Sequence, residues 1–287
     1  MITVTNVSGG KSSAYVATHF PSDYYLFALV CIEDASLTPK DKKLVRMVSD
    51  RIGRDFIATA ENDIILTTMF ELEQQLGKPI EWLVGNTFEQ TIKKKNGFLP
   101  SPQRRYCTQE MKIRPMFDWF WKNFGSEEKV IKTQIGFRHG ESSRAKSMIE
   151  RCNDKGIMEY KGVVGRLPDG RQKWKVVEWQ MPSFPLIENG ITRDIVEAYW
   201  KDKPVQFAPL NNCVGCFHQN PLLLRKRFET DSEKMEWFAK QERERTRPND
   251  LWNVQIGCSY DTLKKYRVQM ELGFEDFGDC DTGYCGL

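Results

Sequence analysis

Ser8-Gly9-Gly10-Lys11-Ser12-Ser13 is the stretch whose residue types and spacing could do chemistry most directly. Adjacent glycines permit a tight turn and a close approach of backbone to ligand, Lys11 adds a cation, and the serines add hydroxyl donors. The alternating β-branched run Ile2-Thr3-Val4-Thr5-Asn6-Val7 precedes it as an expected strand, and 14–20 follows as an expected helix. The first amides of such a helix have no intrahelical partner, so a phosphate or pyrophosphate fits the turn. Spacing excludes two other glycine loops. A Walker A loop needs glycine where Thr5 stands, and the dinucleotide G-x-G-x-x-G fingerprint fails because Gly9 and Gly10 are adjacent.

The cysteines offer a second chemistry. Cys213-Val214-Gly215-Cys216 is a C-x-x-C turn that presents two thiolates to zinc or to an iron-sulfur cluster, and Cys280 and Cys285 form another close pair. In a reducing compartment the eight cysteines speak for metal or redox chemistry rather than a disulfide framework. Cys31, Cys152 and Cys258 have no constellation and are expected to be buried thiols.

The elements that must position these groups follow from the hydrophobic pattern. Residues 24–32 read as a strand ending in Cys31-Ile32-Glu33-Asp34. Ligands sit beyond the carboxyl ends of parallel strands, which puts Glu33 and Asp34 where a ribose, an adenine amine or a magnesium ion would be met. A helix is expected over 40–52, with Leu44, Val45, Val48 and Ile52 on one stripe, then a strand over 55–58 and a helix over 63–76. That order implies an α/β fold with a doubly wound, mostly parallel sheet. Residues 78–102 read as a polar, proline-ended loop region, and 104–115 open a helix whose aromatic face is Phe117, Phe120, Trp121 and Phe124. Strands over 129–137 and 173–185, a capped helix over 192–200, a turn over 211–218 and charged helices over 221–241 and 262–272 complete the expectation.

Three segments carry a resemblance to a known superfamily. Ser8 to Ser13 resembles the S-G-G-x-D-S pyrophosphate loop of the adenine-nucleotide α-hydrolases, with Ser12 where Asp is usual. That superfamily contains the ATP pyrophosphatases, several tRNA thiolation enzymes, and the PAPS and APS reductases. Cys107, Lys112 and Pro115 resemble the C-[CT]-x-x-x-K-x-x-P segment of the reductases, with Thr108 in place of a second cysteine. Gly136, Arg138, Glu141 and Ser142 match the G-x-R-x-x-E-S-x-x-R motif, and Arg144 stands one step short of its last arginine. The final Cys285-Gly286-Leu287 is similar to the E-C-G-L-H tail whose cysteine attacks the sulfur of a nucleotide sulfate, although Tyr284 replaces the Glu.

The resemblance implies a Rossmann-like PP-loop domain over 1–205 and a cysteine-containing helical C-terminal region over 206–287. It implies ATP with magnesium as ligand. Ser8, Gly9, Gly10, Lys11, Ser12 and Ser13 would hold pyrophosphate, Gly136, Arg138 and Glu141 would border the nucleotide, and Lys11, Lys112, Arg138 and Arg144 would stabilise developing charge. It implies a 4Fe-4S cluster, with zinc as the alternative, on Cys107, Cys213 and Cys216. The fourth ligand would be Cys280 or Cys285, or one iron would stay open to bind sulfur. The expected activity is adenylation of an acceptor with pyrophosphate release, followed by sulfur transfer, with a sulfur-donor protein and a nucleic-acid base as the partners the resemblance implies. The alternatives are an adenylyl-sulfate reductase with Cys285 as nucleophile, and a nucleotide- or nucleic-acid-binding protein without turnover.

Composition bounds these readings. A chain of 287 residues with 40% hydrophobic and 12% aromatic residues can build a core, which excludes global disorder. No apolar run approaches the roughly 20 residues of a membrane helix and no secretory leader is read before the first strand, so a cytoplasmic location without a membrane partner is expected. A homodimer is an expected assembly. The net charge of +3 argues against a DNA coat protein. The basic runs Lys93-Lys94-Lys95, Arg104-Arg105, Arg225-Lys226-Arg227 and Arg243, Arg245, Arg247 are either solvated faces or a surface for RNA, DNA or another polyanion.

Overall fold

Strand β1 (Thr3–Asn6) lies inside the central sheet of the computed structural model, which describes residues 1–125, 129–245, 250–252 and 257–266. The sheet has six strands in the order β5 (Glu81–Val84), β2 (Tyr24–Leu29), β1, β6 (Ile131–Gln134), β8 (Gln172–Ser183) and β7 (Met158–Arg166). All neighbours run parallel except β7 and β8, which form an antiparallel hairpin at one edge. The protein is therefore α/β with a mostly parallel sheet, as the element order implies.

Both faces of β2 are buried, as its unbroken apolar sequence requires in a parallel sheet. Tyr25, Phe27 and Leu29 pack with α1 (Lys11–His19), α2 (Lys42–Ile52), α3 (Ile64–Leu76), α8 (Pro185–Glu188) and α9 (Arg193–Trp200). Leu26 and Ala28 pack on the other face with Phe117, Phe120 and Phe124 of α6 (Arg114–Phe124) and with Met148 of α7 (Ser142–Ile149). A third apolar cluster joins Val30, Ile32, Ala58 and Ala60 to Phe228 of α10 (Pro221–Thr230), Phe238 of α11 (Ser232–Arg243) and Leu263 of α12 (Tyr260–Lys265). Among the described residues no helix is long and apolar enough to cross a membrane.

Five expectations are corrected. The strand expected over 24–32 breaks at Val30, whose carbonyl accepts from the Ala60 amide at 3.1 Å and the Thr59 hydroxyl at 2.9 Å. Its end becomes β3 (Cys31–Ile32), paired antiparallel with β4 (Ala58–Thr59) outside the central sheet, so the strand expected over 55–58 is not a central strand. The polar region 78–102 contains edge strand β5 and α4 (Phe88–Lys94), the latter opened by a Thr87–Gln90 capping box. Strand β7 lies where no element is expected, because bulges between Met158 and Glu159 and between Val163 and Gly165 break its alternation. The helix expected over 221–241 splits at Asp231 into α10 and α11. The helix expected over 262–272 is described only as far as Lys265.

Candidate nucleotide cleft and cysteine cavity

The turn between β1 and α1 needs Gly9 for two reasons. Its φ is +82°, and a Cβ built there would lie 2.6 Å from Ile65 Cγ2 on α3. Ser13 Oγ accepts from the Ser8 amide at 3.1 Å and donates to the Gly10 carbonyl at 3.0 Å, so Ser8 and Ser13 brace the loop internally. Gly10 supplies no side-chain cap to α1, whose first residue is Lys11.

From β1 the chain proceeds to β2 on one side, while β6 lies on the other. The loops that follow β1 and β6 therefore meet at the carboxyl edge where strand order reverses, the place where open α/β sheets bind ligands. Gly136 makes this meeting possible, since a Cβ there would lie 2.9 Å from the Ser13 amide nitrogen. Two residues on, Glu141 Oε2 accepts from the Arg138 amide at 3.0 Å and from Arg138 Nε at 3.1 Å. Glu141 also pairs with Arg144, whose guanidinium lies 4.3 Å from the Phe137 ring centroid. Glu141 and Arg144 thus hold the Arg138 loop, and Arg138 is the member that lines the cleft.

The cleft has a volume of about 800 Å³. Its described lining carries five cations, Lys11, Arg138, Arg193, Lys226 and Arg227, against two carboxylates, Glu197 and Asp231. Such a surplus suits a polyanion. Lys11 is paired with Glu197 of α9, and Trp200 Nε1 donates to the Lys11 carbonyl at 2.9 Å, which ties α9 to the start of α1.

A second, smaller cavity of about 50 Å³ is bordered by Cys107, Cys213 and Cys216, with Lys112 and the apolar walls Phe238 and Trp252. Cys107 lies on α5 (Tyr106–Thr108), and a π-helical turn over Gln109–Ile113 carries Lys112. Burial pushes the Cys107 thiol up to about 12, and it raises Cys213 and Cys216 as well. Lys112, Arg105 and Arg227 oppose that rise at Cys216. Burial acts against the Lys112 charge, yet Glu61 at 3.0 Å and the neighbouring Cys213 and Cys216 raise its pKa above the ordinary lysine value. Among the described residues no three Cys, His, Asp or Glu side chains converge closely enough to hold a metal. The donor chemistry itself fits a thiophilic centre: three soft thiols border one apolar-walled cavity, with cations in range to offset thiolate charge. Cys280 and Cys285 lie outside the described residues.

Several expected site residues are placed elsewhere. Glu33 accepts from Thr87 Oγ1 at 2.8 Å and Gln90 Nε2 at 2.6 Å at the start of α4, and Asp34 caps the turn Ala35–Leu37 through the Ser36 amide at 3.0 Å. Neither lines the cleft. Lys112 faces the cysteines rather than the cleft. Glu61, Asn62, Arg193, Glu197 and Asn211 carry no motif and acquire a role only through tertiary pairing. Lys226 and Arg227 carried a signal, the basic run over 225–227. Comparison of the chain with protein-family models, with curated proteins and with solved structures finds no match.

Proposed function

We propose that this chain is a PP-loop enzyme of the PAPS-reductase type that binds ATP, adenylates an acceptor with release of pyrophosphate, and completes a sulfur transfer at the cysteine cavity. On this reading 1–205 form the nucleotide domain and 206–287 a cysteine-bearing helical region, and a nucleic-acid base is the acceptor. The observation that carries it is the course of 211–213. Asn211 lines the cleft and donates to Ser8 Oγ at 3.2 Å, whereas Asn212 and Cys213 line the cysteine cavity. One short segment borders both chambers, so an acceptor activated in the first lies next to thiols in the second.

In the adenylation step an acceptor oxygen attacks the α-phosphorus of ATP, the α–β phosphoanhydride bond breaks, and pyrophosphate leaves. The α1 amides, Lys11 and Arg138 are the groups available to the charge that develops on that leaving group. Sulfide then displaces AMP from the activated carbon, the new C–S bond forming as the C–O bond to AMP breaks. Cys107, Cys213 and Cys216 border one cavity without converging, so they would have to draw together to hold a 4Fe-4S cluster or zinc, which when bound supplies a thiophilic site for sulfur. Magnesium fits less well, because both carboxylates of the described cleft lining, Glu197 and Asp231, are already engaged by cations.

The test is product analysis with the anaerobically purified chain, ATP and total RNA. AMP and pyrophosphate are expected, and Lys11→Ala should slow their appearance about a hundredfold, the usual loss for one charge-stabilising donor. Release of ADP and phosphate would overturn the reading.

A further inference from the structure

Arg227 is only 4% exposed, yet it lines the cleft from α10. Its Nη1 donates to Asp231 Oδ2 at 2.9 Å. Asp231 is itself fixed by Asn62 Nδ2 at 2.8 Å and by Thr230 Oγ1 at 2.7 Å. The other two guanidinium nitrogens, Nε and Nη2, are buried without a hydrogen-bond partner. They form one edge of the fork, the edge that matches two oxygens of a phosphate. Buried donors of a cation are costly to leave unpaired, and here the aspartate holds the empty edge in one orientation.

We propose that Arg227, with Lys226 beside it, is a second oxyanion site that receives a phosphate group of the acceptor while the α1 loop holds the nucleotide. This rests on the ATP reading for the identity of the first ligand, and on Arg227 for the second. Three observations assign the oxyanion to the acceptor. Arg227 sits on α10, separate from the α1 and β6 loops that face the nucleotide. Leu224 and Phe228 of the same helix pack in one apolar cluster with Val214 and Phe217, which places the site on the cysteine side of the cleft. An acceptor must lie there for sulfur to reach it. Finally, Lys226 and Arg227 of the basic run on α10 both line the cleft, whereas Arg225 lies outside its lining and pairs with Glu229 at 2.9 Å.

The experiment is calorimetric titration of inorganic phosphate into the full chain saturated with α,β-methylene-ATP. One phosphate should bind. Arg227→Gln should weaken it roughly tenfold or more while the affinity for the analogue stays within about twofold, and Arg227→Lys should fall between, because lysine keeps charge without the fork. Lys226→Ala, at an exposed position, should also weaken phosphate, which keeps the test decisive if Arg227→Gln does not fold. Displacement of phosphate by a single-stranded RNA octamer supports the site with a phosphodiester acceptor. Displacement by a nucleoside monophosphate alone supports it with a small one. Displacement by neither, absence of phosphate binding, or phosphate binding indifferent to both positions overturns the site. If the wild-type chain ignores the analogue but binds phosphate through Arg227, the ATP reading falls and the oxyanion site stands.

Discussion

Gly136 and Ser13 are in such close contact that a Cβ on the glycine would lie 2.9 Å from the serine's amide nitrogen and 3.0 Å from its Cα. The loop after β6 is thereby seated on the first turn of α1, and it is this contact that brings Arg138 to the same cleft as Lys11. The clash partners are backbone, so no rotamer change relieves it.

Gly136→Ala must separate the two loops or strain one of them. We expect a loss of about 1–3 kcal/mol in urea denaturation, the usual cost of overpacking a filled site, together with weaker ATP binding. Stability and affinity both equal to wild type would mean that the contact does not position the cleft.

The buried pair Lys112–Glu61 makes a different prediction. Glu61 is 1% exposed, and its Oε2 has no hydrogen-bond partner, so Lys112 at 3.0 Å is the cation that offsets its charge. Lys112→Met should cost about 3–5 kcal/mol, because it strands a buried carboxylate, and Lys112→Met with Glu61→Leu should recover most of that loss. A double variant as unstable as the single would show that Glu61 does not depend on this lysine. If Lys112 instead served pyrophosphate, the single variant would chiefly weaken ATP binding.

The strand, turn and helix around 8–13 were legible because their causes are local. A β-branched run, adjacent glycines and a helical stretch fall within twenty residues. Strand β5 was not legible, since its four residues are held by packing of Trp82 against Phe27 of β2 and Phe70 of α3, ring centroids 5.0 and 4.9 Å away, rather than by any local pattern. The lysines over 93–95 then gave that region a loop-like polarity. Glu33 and Asp34 illustrate how one backbone event redirects a site. The expected strand would have carried them to the ligand edge, but the break at Val30 turns them toward α4 and a local cap. Arg227 could be flagged as basic from sequence, whereas its meaning depends on Asp231 and Asn62, the latter 169 residues away from that aspartate.

Glu242 predicts a pH dependence. It is 1% exposed on α11 and accepts from the backbone amides of Trp252, at 3.1 Å, and Tyr260. Trp252 walls the cysteine cavity, and Tyr260 donates its hydroxyl to the Gly215 carbonyl at 3.0 Å, so this carboxylate braces the C-x-x-C turn from behind. Burial raises its pKa, and the two amide bonds only partly offset that. The native state therefore binds this proton more tightly than the unfolded chain, and stability from this site is lost as pH rises through the folded pKa. The stability advantage of wild type over Glu242→Gln, measured in urea, should be larger near about pH 5 than near about pH 7. An advantage that grows with pH would contradict the raised pKa. At either pH the variant should lose about 1–3 kcal/mol, because the glutamine NH2 faces one of the two amides it replaces an acceptor for.

The three thiols of the small cavity give the last prediction. Burial holds the Cys107 thiol near about 12 and raises Cys213 and Cys216, so without a metal the cavity contains neutral thiols at physiological pH. A thiophilic metal must expel those protons, and each one released makes the apparent affinity fall about tenfold per unit of acidification. Iron or zinc bound by the anaerobically prepared protein should therefore be lost steeply between about pH 8 and about pH 6, with a slope that counts the thiols involved. Cys107→Ser should flatten that slope by one proton and lower the metal content, with little change in melting temperature, since the two side chains differ mainly in their donor atom. A variant that keeps both the wild-type slope and the wild-type metal content would remove Cys107 from the ligand set and leave its thiol as a packing group against the apolar cluster that contains Met111 and Phe238.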